Sequence, residues 1–206
     1  MIYEEYKSDL GEKAPKIVFE DFYNIKFKKI SRKKNQKTPD YEITDLNENI
    51  IAYCEVKSLL DTLHSKDFSM QMSQEAILEN SIKREVSYLS KLRNHHGKAI
   101  LQLSNNHNLP TLIVFSSFNM TDHIDMDKML QEHKNLYPQC PMADAYALMK
   151  IHQSVVPSNT FEIKYTIATR WNTDLGKYFL DKYLPPINTF QDLQKIGKLP
   201  KSFNIN

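Results

Sequence analysis

Between residues 25 and 57 the chain carries three short strand-like segments joined by two polar turns, and this pattern constrains the fold more than any other. Ile25-Lys26-Phe27-Lys28-Lys29-Ile30 alternates apolar and basic residues, the period of two that lays one face of a strand on a core. Ser31 to Thr38 is polar and reads as a turn. Tyr41 to Leu46 is a second strand, Asn47-Glu48-Asn49 a turn cluster, and Ile50 to Lys57 a third, more apolar strand. Connections this short predict an antiparallel meander. A helical pattern follows: Ser73 as a cap, Ala76 inside, then Leu78, Ile82, Val86, Leu89 and Leu92 at three- and four-residue steps. Leu109 to Phe115 then reads as a buried strand. A helical crossover between strands of one sheet predicts parallel pairing.

The remaining segments fill in around this frame. The first 25 or so residues are helical in two pieces, with Pro15 opening a short helix through Phe22. Ser58 to Gln74 reads as an irregular polar loop. His95-His96-Gly97 interrupts or bends the long helix, which resumes from Lys98 to Leu103. Asp125 to Asn135 is a further helix and Phe161 to Ala168 a further strand, and the chain after Leu184 is a loosely packed tail. Together these predict an α/β fold with a mixed central sheet flanked by helices. One domain spans 1–206, with a core of about 1–120 and a C-terminal extension of about 121–206.

Several function classes drop out. Only four glycines occur, and no GxGxxG or GxxxxGK[ST] pattern is present, so no nucleotide cofactor is expected. Cys54 and Cys140 stand outside any CxxC pair, so neither a disulfide framework nor a structural zinc site is expected. The first residues lack the basic and apolar regions of a signal peptide, and no apolar run approaches the ~18 residues of a spanning helix. A cytoplasmic location without membrane association is the resulting expectation.

Chemistry concentrates at Asp40 and, after fourteen intervening residues, Glu55-Val56-Lys57. Residues i and i+2 of a strand point the same way, so Glu55 and Lys57 project together while Val56 faces the core. A turn near Asn47–Asn49 folds Asp40, at the start of the second strand, back beside them. Two carboxylates can hold a hard divalent cation such as Mg²⁺ or Mn²⁺, with the Val56 carbonyl as an added ligand. Such an ion polarises a phosphoryl oxygen and acidifies a bound water. The Lys57 ammonium can orient that water or stabilise transition-state charge.

Thr38-Pro39-Asp40-Tyr41-Glu42-Ile43 followed by Ile51-Ala52-Tyr53-Cys54-Glu55-Val56-Lys57-Ser58 resembles the motif of the PD-(D/E)XK nucleases, over roughly residues 1 to 116. The resemblance implies a restriction-endonuclease-like αβββαβ core and cleavage of DNA phosphodiester bonds. Asp40 and Glu55 would be metal ligands and Lys57 the catalytic lysine. It also implies a first-helix glutamate as a further ligand, with Glu20 the first choice, Glu5 the alternative, and Glu4 and Glu12 left open. It implies a glutamine on the helix after the third strand, a place that Gln102 fits. By analogy with double-strand cutters, a homodimer is a further expectation. The alternative reading is a catalytically silent nucleic-acid-binding or assembly module of the same fold, and a third is an unrelated α/β protein with a protein partner.

Net charge is only +2, but seven basic residues and no acidic one lie between Lys26 and Lys37. Lys28, Lys33 and Lys34 in this block, with Lys83 and Arg84 on the long helix, are candidate phosphate contacts; a solvated hairpin and a charge-balanced surface helix are the plainer readings. His95-His96 is expected on a solvated or phosphate-contacting face, and Asp122, Asp125 and Asp127 mark a helix start rather than a metal cluster. Trp171, Tyr165 and Tyr178 either stack on bases or, as the reading preferred here, pack the C-terminal part of the core.

Overall fold

The computed structural model describes residues 2–31, 37–59, 90, 92–104, 108–118, 126–136, 138–139, 141–155 and 161–186. The element order is α1 (Ile2–Phe22), β1 (Lys26–Lys29), β2 (Tyr41–Thr44), β3 (Ile50–Leu59), α2 (92–103), β4 (Thr111–Phe118), α3 (Met126–Leu136), β5 (Ala145–Val155), β6 (Phe161–Trp171) and α4 (Asp174–Tyr183). The strands form one open mixed sheet in the order β1-β2-β3-β4-β5-β6. β1, β2 and β3 are the antiparallel meander, β3, β4 and β5 run parallel, and β6 returns antiparallel.

Side-chain parity divides the sheet into two faces. Ala52, Cys54, Val56, Leu112, Val114, Ala145, Ala147 and Met149 pack in one cluster with Val18 and Phe19 of α1 and Phe179 and Leu180 of α4. Leu59, Ile113, Phe115, Tyr146 and Leu148 point the other way and pack with Leu92, Ala99, Ile100 and Leu103 of α2 and Leu130 of α3. The parallel crossovers therefore lie on one face and α1 and α4 on the other, a three-layer arrangement that buries both faces of the central strands.

α1 is one helix, not two pieces, although Pro15 lies inside it. A helical proline has no N–H for the carbonyl four residues earlier, here that of Gly11. The Ser116 hydroxyl donates to the Gly11 carbonyl instead. The approach is close there, since a Cβ on Gly11 would stand 2.2 Å from Ser58 Oγ. Likewise α2 runs unbroken through His95-His96-Gly97, so the expected interruption does not occur.

The turn between β2 and β3 is organised by Asp45, whose carboxylate accepts the Asn47 and Asn49 amides at 2.9 Å each, while Glu48 takes a positive φ of 65°. The side-chain bond from Asn49 above all lowers the Asp45 pKa. Two elements carry no expectation from the sequence, β5 and α4. β5 continues the sheet beyond β4, and α4 begins at Thr173, whose side chain accepts the Gly176 amide. Residues 60–89, the tail from 187 onward and the Lys33, Lys34, Lys83 and Arg84 side chains lie outside the described residues.

Candidate active site

β2 and β3 pair backbone to backbone as far as Tyr41 and Cys54. One residue further the ladder changes partners. The Asp40 amide donates to Glu55 Oε2 at 3.0 Å, and the Val56 amide donates to Asp40 Oδ2 at 3.2 Å. Each strand thus offers a carboxylate where a carbonyl would stand in a regular sheet. Asp40 keeps its hold on β1, since its carbonyl accepts the Ile30 amide at 3.0 Å.

Alternation along β3 sends Cys54 and Val56 to the α1 face and Glu55 and Lys57 to the α2 face. The Lys57 ammonium donates to Glu55 Oε1 and, at 2.9 Å, to Gln102 Oε1 on α2. The Glu55 side chain is wholly buried and that of Lys57 is 15% exposed. Burial raises the Glu55 pKa to about 7; Lys57 pulls it down and the Asp40 carboxylate pushes it up. Asp40, Glu55, Lys57 and Gln102, from three separate segments of the chain, therefore meet in one group.

Glu20 does not join them. Its carboxylate accepts the Phe27 amide at 2.6 Å and lies 3.9 Å from Lys16. Phe27 is three residues along β1 from Ile30, the residue opposite Asp40, which is roughly 10 Å of strand. Glu20 ties α1 to the free edge of the sheet, too far to share an ion with Asp40. Glu12 is exposed and, with Asp40 and Glu20, adds to a rise in the Tyr41 pKa caused first by burial. The Glu4 and Glu5 side chains lie outside the described residues. Val56 contributes its amide, while its side chain is buried on the opposite face.

Among the described residues no group of three or more His, Cys, Asp or Glu could hold a metal. Asp40 and Glu55 are the two neighbouring carboxylates that could take a cation at this point. The pair suits a hard divalent cation: both are carboxylates, Asp40 stands close enough to disfavour the charge on Glu55, and a Mg²⁺ site needs only one or two protein carboxylates.

Lys28 projects from the same face as Glu55 and Lys57, through the register Lys28–Glu42–Tyr53. It is exposed, with Glu48 at 3.9 Å. His96 corrects the expectation of a solvated face. It is fully buried, 3.0 Å from the Tyr146 hydroxyl, with its ring centroid 4.1 Å from that of His133. The stripe that includes Leu92 continues by a step of four onto His96, then Ala99, Ile100 and Leu103, and that signal was present in the sequence. Trp171 and Tyr178 are also corrected: they are 55% and 57% exposed rather than packed in the core. Asp127 does sit in the first turn of α3, where it accepts from Arg170 Nε at 2.7 Å.

No helix among the described residues is long and apolar enough to cross a membrane. Comparison of the chain with family models, curated proteins and solved structures gives no match.

Proposed function

We propose that this chain is a metal-dependent nuclease of the PD-(D/E)XK kind, hydrolysing DNA phosphodiester bonds at Asp40, Glu55 and Lys57. The observation that carries the reading is the convergence of two carboxylates, a lysine and a glutamine around the point where β2 and β3 change from backbone to side-chain pairing. The order α1-β1-β2-β3-α2-β4 supports a restriction-endonuclease-like core.

A divalent ion, Mg²⁺ or Mn²⁺, held by Asp40 and Glu55 would supply Lewis-acid polarisation of the phosphoryl group and a water of lowered pKa. The chain's own residues do the rest. The Val56 amide holds the Asp40 carboxylate in place, and the Asp40 amide does the same for Glu55. Gln102 and Glu55 together aim the Lys57 ammonium, which stabilises charge developing on the phosphate. Surrounding burial strengthens that interaction by excluding water. Lys28, two strands away on the same face, would hold a neighbouring phosphate.

The test is cleavage of supercoiled plasmid and single-stranded DNA with Mg²⁺ or Mn²⁺, comparing the parent with Asp40→Ala and Lys57→Ala, with circular dichroism to confirm folding. Metal-dependent cleavage lost in both folded variants is the expected result. DNA binding by the parent without cleavage would instead identify a silent nucleic-acid-binding module.

A further inference from the structure

The other face of the sheet carries a feature that the catalytic group does not use. Trp171, Leu175 and Tyr178 are large and open to solvent where β6 meets α4. Trp171 pairs with Ala145, whose side chain packs on the α4 face, so parity directs the indole to that side, away from Glu55 and Lys57. Leu175 and Tyr178 are one helical turn apart and share a side of α4.

Each exposed ring has a lysine beside it, Lys182 being shared with Tyr183, whose ring centroid is 4.9 Å away. Lys177 Nζ lies 5.5 Å from the Trp171 ring centroid. Lys182 Nζ lies 5.3 Å from the Tyr178 centroid and donates to its hydroxyl at 3.0 Å. The mounting is rigid. Asp144 accepts the Thr173 hydroxyl at 2.7 Å and the Thr111 hydroxyl at 2.8 Å, and its carbonyl accepts the Asn172 amide at 2.8 Å. Gly176 seats α4 so closely on this corner that a Cβ would stand 1.9 Å from the Asp144 carbonyl oxygen.

We propose that Trp171 and Tyr178, with Lys177 and Lys182, form a stacking platform for single-stranded nucleic acid on the face of the sheet opposite the catalytic group. A base offers each ring a π-face, and its phosphate falls beside an ammonium already held there. A purely apolar partner would desolvate both ammonium groups without replacing their hydration, whereas a phosphodiester chain supplies the matching anions. Holding the backbone beneath the rings in place before binding lowers the ordering cost of capture.

Trp171 is the sole tryptophan of the chain, so its fluorescence reports on this site alone. The experiment titrates (dT)12 into the full chain without metal and follows indole quenching, with an abasic 12-mer of equal charge as comparison. Fluorescein-labelled (dT)12 anisotropy then gives affinities for Trp171→Ala, Trp171→Phe and Tyr178→Ala, all at half-exposed positions. Expected are saturable quenching by (dT)12 but not by the abasic strand, and about tenfold weaker binding for Trp171→Ala, the loss of one stacked base. Trp171→Phe should retain most of the affinity. With metal absent no cleavage occurs, so a loss confined to the Trp171 and Tyr178 variants judges the platform separately from the catalytic group. Absent quenching, equal quenching by the abasic strand, or unchanged affinity of Trp171→Ala overturns the proposal. So does self-association of the parent in light scattering that Trp171→Ala abolishes, because the occupant would then be a second copy.

Discussion

The raised Glu55 pKa makes metal binding a competition with a proton. A carboxylate must be ionised to hold a divalent ion, and burial keeps Glu55 protonated up to about pH 7. The expected consequence is that Mg²⁺ binds about tenfold more weakly at pH 6 than at pH 8, from proton competition at a single group with that pKa. Binding should release about 0.9 proton at pH 6 and about 0.1 at pH 8. Isothermal titration calorimetry in two buffers of different ionisation enthalpy measures both quantities at once. Asp40→Ala should lose the binding altogether. The metal-free protein supplies an independent check. A carboxylate whose folded pKa is raised contributes stability that is complete below 4.5 and is lost as pH climbs to about 7, roughly 3 kcal/mol in all. Mg²⁺ added at pH 8 should restore part of it. A Mg²⁺ affinity that is flat from pH 6 to 8 with no proton release would refute the reasoning, as would binding that survives Asp40→Ala.

Other expectations concern the fold around the site. Burial, then the neighbouring His133, lowers the His96 pKa from 6.5 to about 3, so its contribution is complete above 6.5 and lost as pH falls towards 3. His133, itself lowered by burial and Arg93, and the Tyr146 hydroxyl are the groups that face it. The stability difference between the parent and His96→Phe in urea titrations should change by about 1.4 kcal/mol per pH unit below 6.5 and be constant above; parallel profiles would contradict this. Gly97→Ala adds a Cβ that meets nothing within 4 Å inside α2, so a gain of up to about 1 kcal/mol, or roughly 2–4 °C in Tm, is expected by calorimetry. Gly176→Ala should cost at least about 2 kcal/mol, because α4 must shift off the Asp144 backbone.

The sequence was most legible where local pattern and tertiary context agree. β1, β2 and β3 announce themselves because one or both strand faces alternate visibly and the turn residues sit between them. Gln102 is singled out by the family resemblance alone, and its bond to Lys57 is visible only in the structure. β5 was missed for the opposite reason to the meander. Buried on both faces, its Ala145-Tyr146-Ala147-Leu148-Met149 run has no period of two and uses residues that favour helices. α1 looked broken at Pro15 because the compensating Ser116 hydroxyl is 101 positions away in the chain. Its place on a helix just before β1 makes Glu20 the first choice of ligand, but its carboxylate is taken by the Phe27 amide at the sheet edge, a contact that only the angle of α1 across β1 decides. Hydrophobicity alone puts Trp171 in the core, but it does not report that β6 is an edge strand of the sheet, where the indole stays 55% exposed.

What sets residues 55 and 57 apart is the contrast with the strand beside them. Leu112, Ile113, Val114 and Phe115 of β4 are apolar and essentially without exposure on both faces. β3 lies in the same layer, between β2 and β4, yet places a carboxylate and an ammonium where β4 has Ile113 and Phe115. An apolar pair would serve packing better, because buried ion pairs are often replaced by hydrophobic residues at no loss, or with gains of about 1–4 kcal/mol. The expected outcome is a strong non-additivity. Glu55→Leu alone leaves the largely buried Lys57 with Gln102 as its acceptor and should cost about 3–5 kcal/mol. Glu55→Leu with Lys57→Met should recover most of that loss, short of the about 1–2 kcal/mol for the Asp40 amide that loses its acceptor. Chemical denaturation of the two single variants and the double variant measures the coupling. A double variant less stable than Glu55→Leu alone would mean that the pair serves the fold, and the case for a site kept for chemistry would lose its energetic basis.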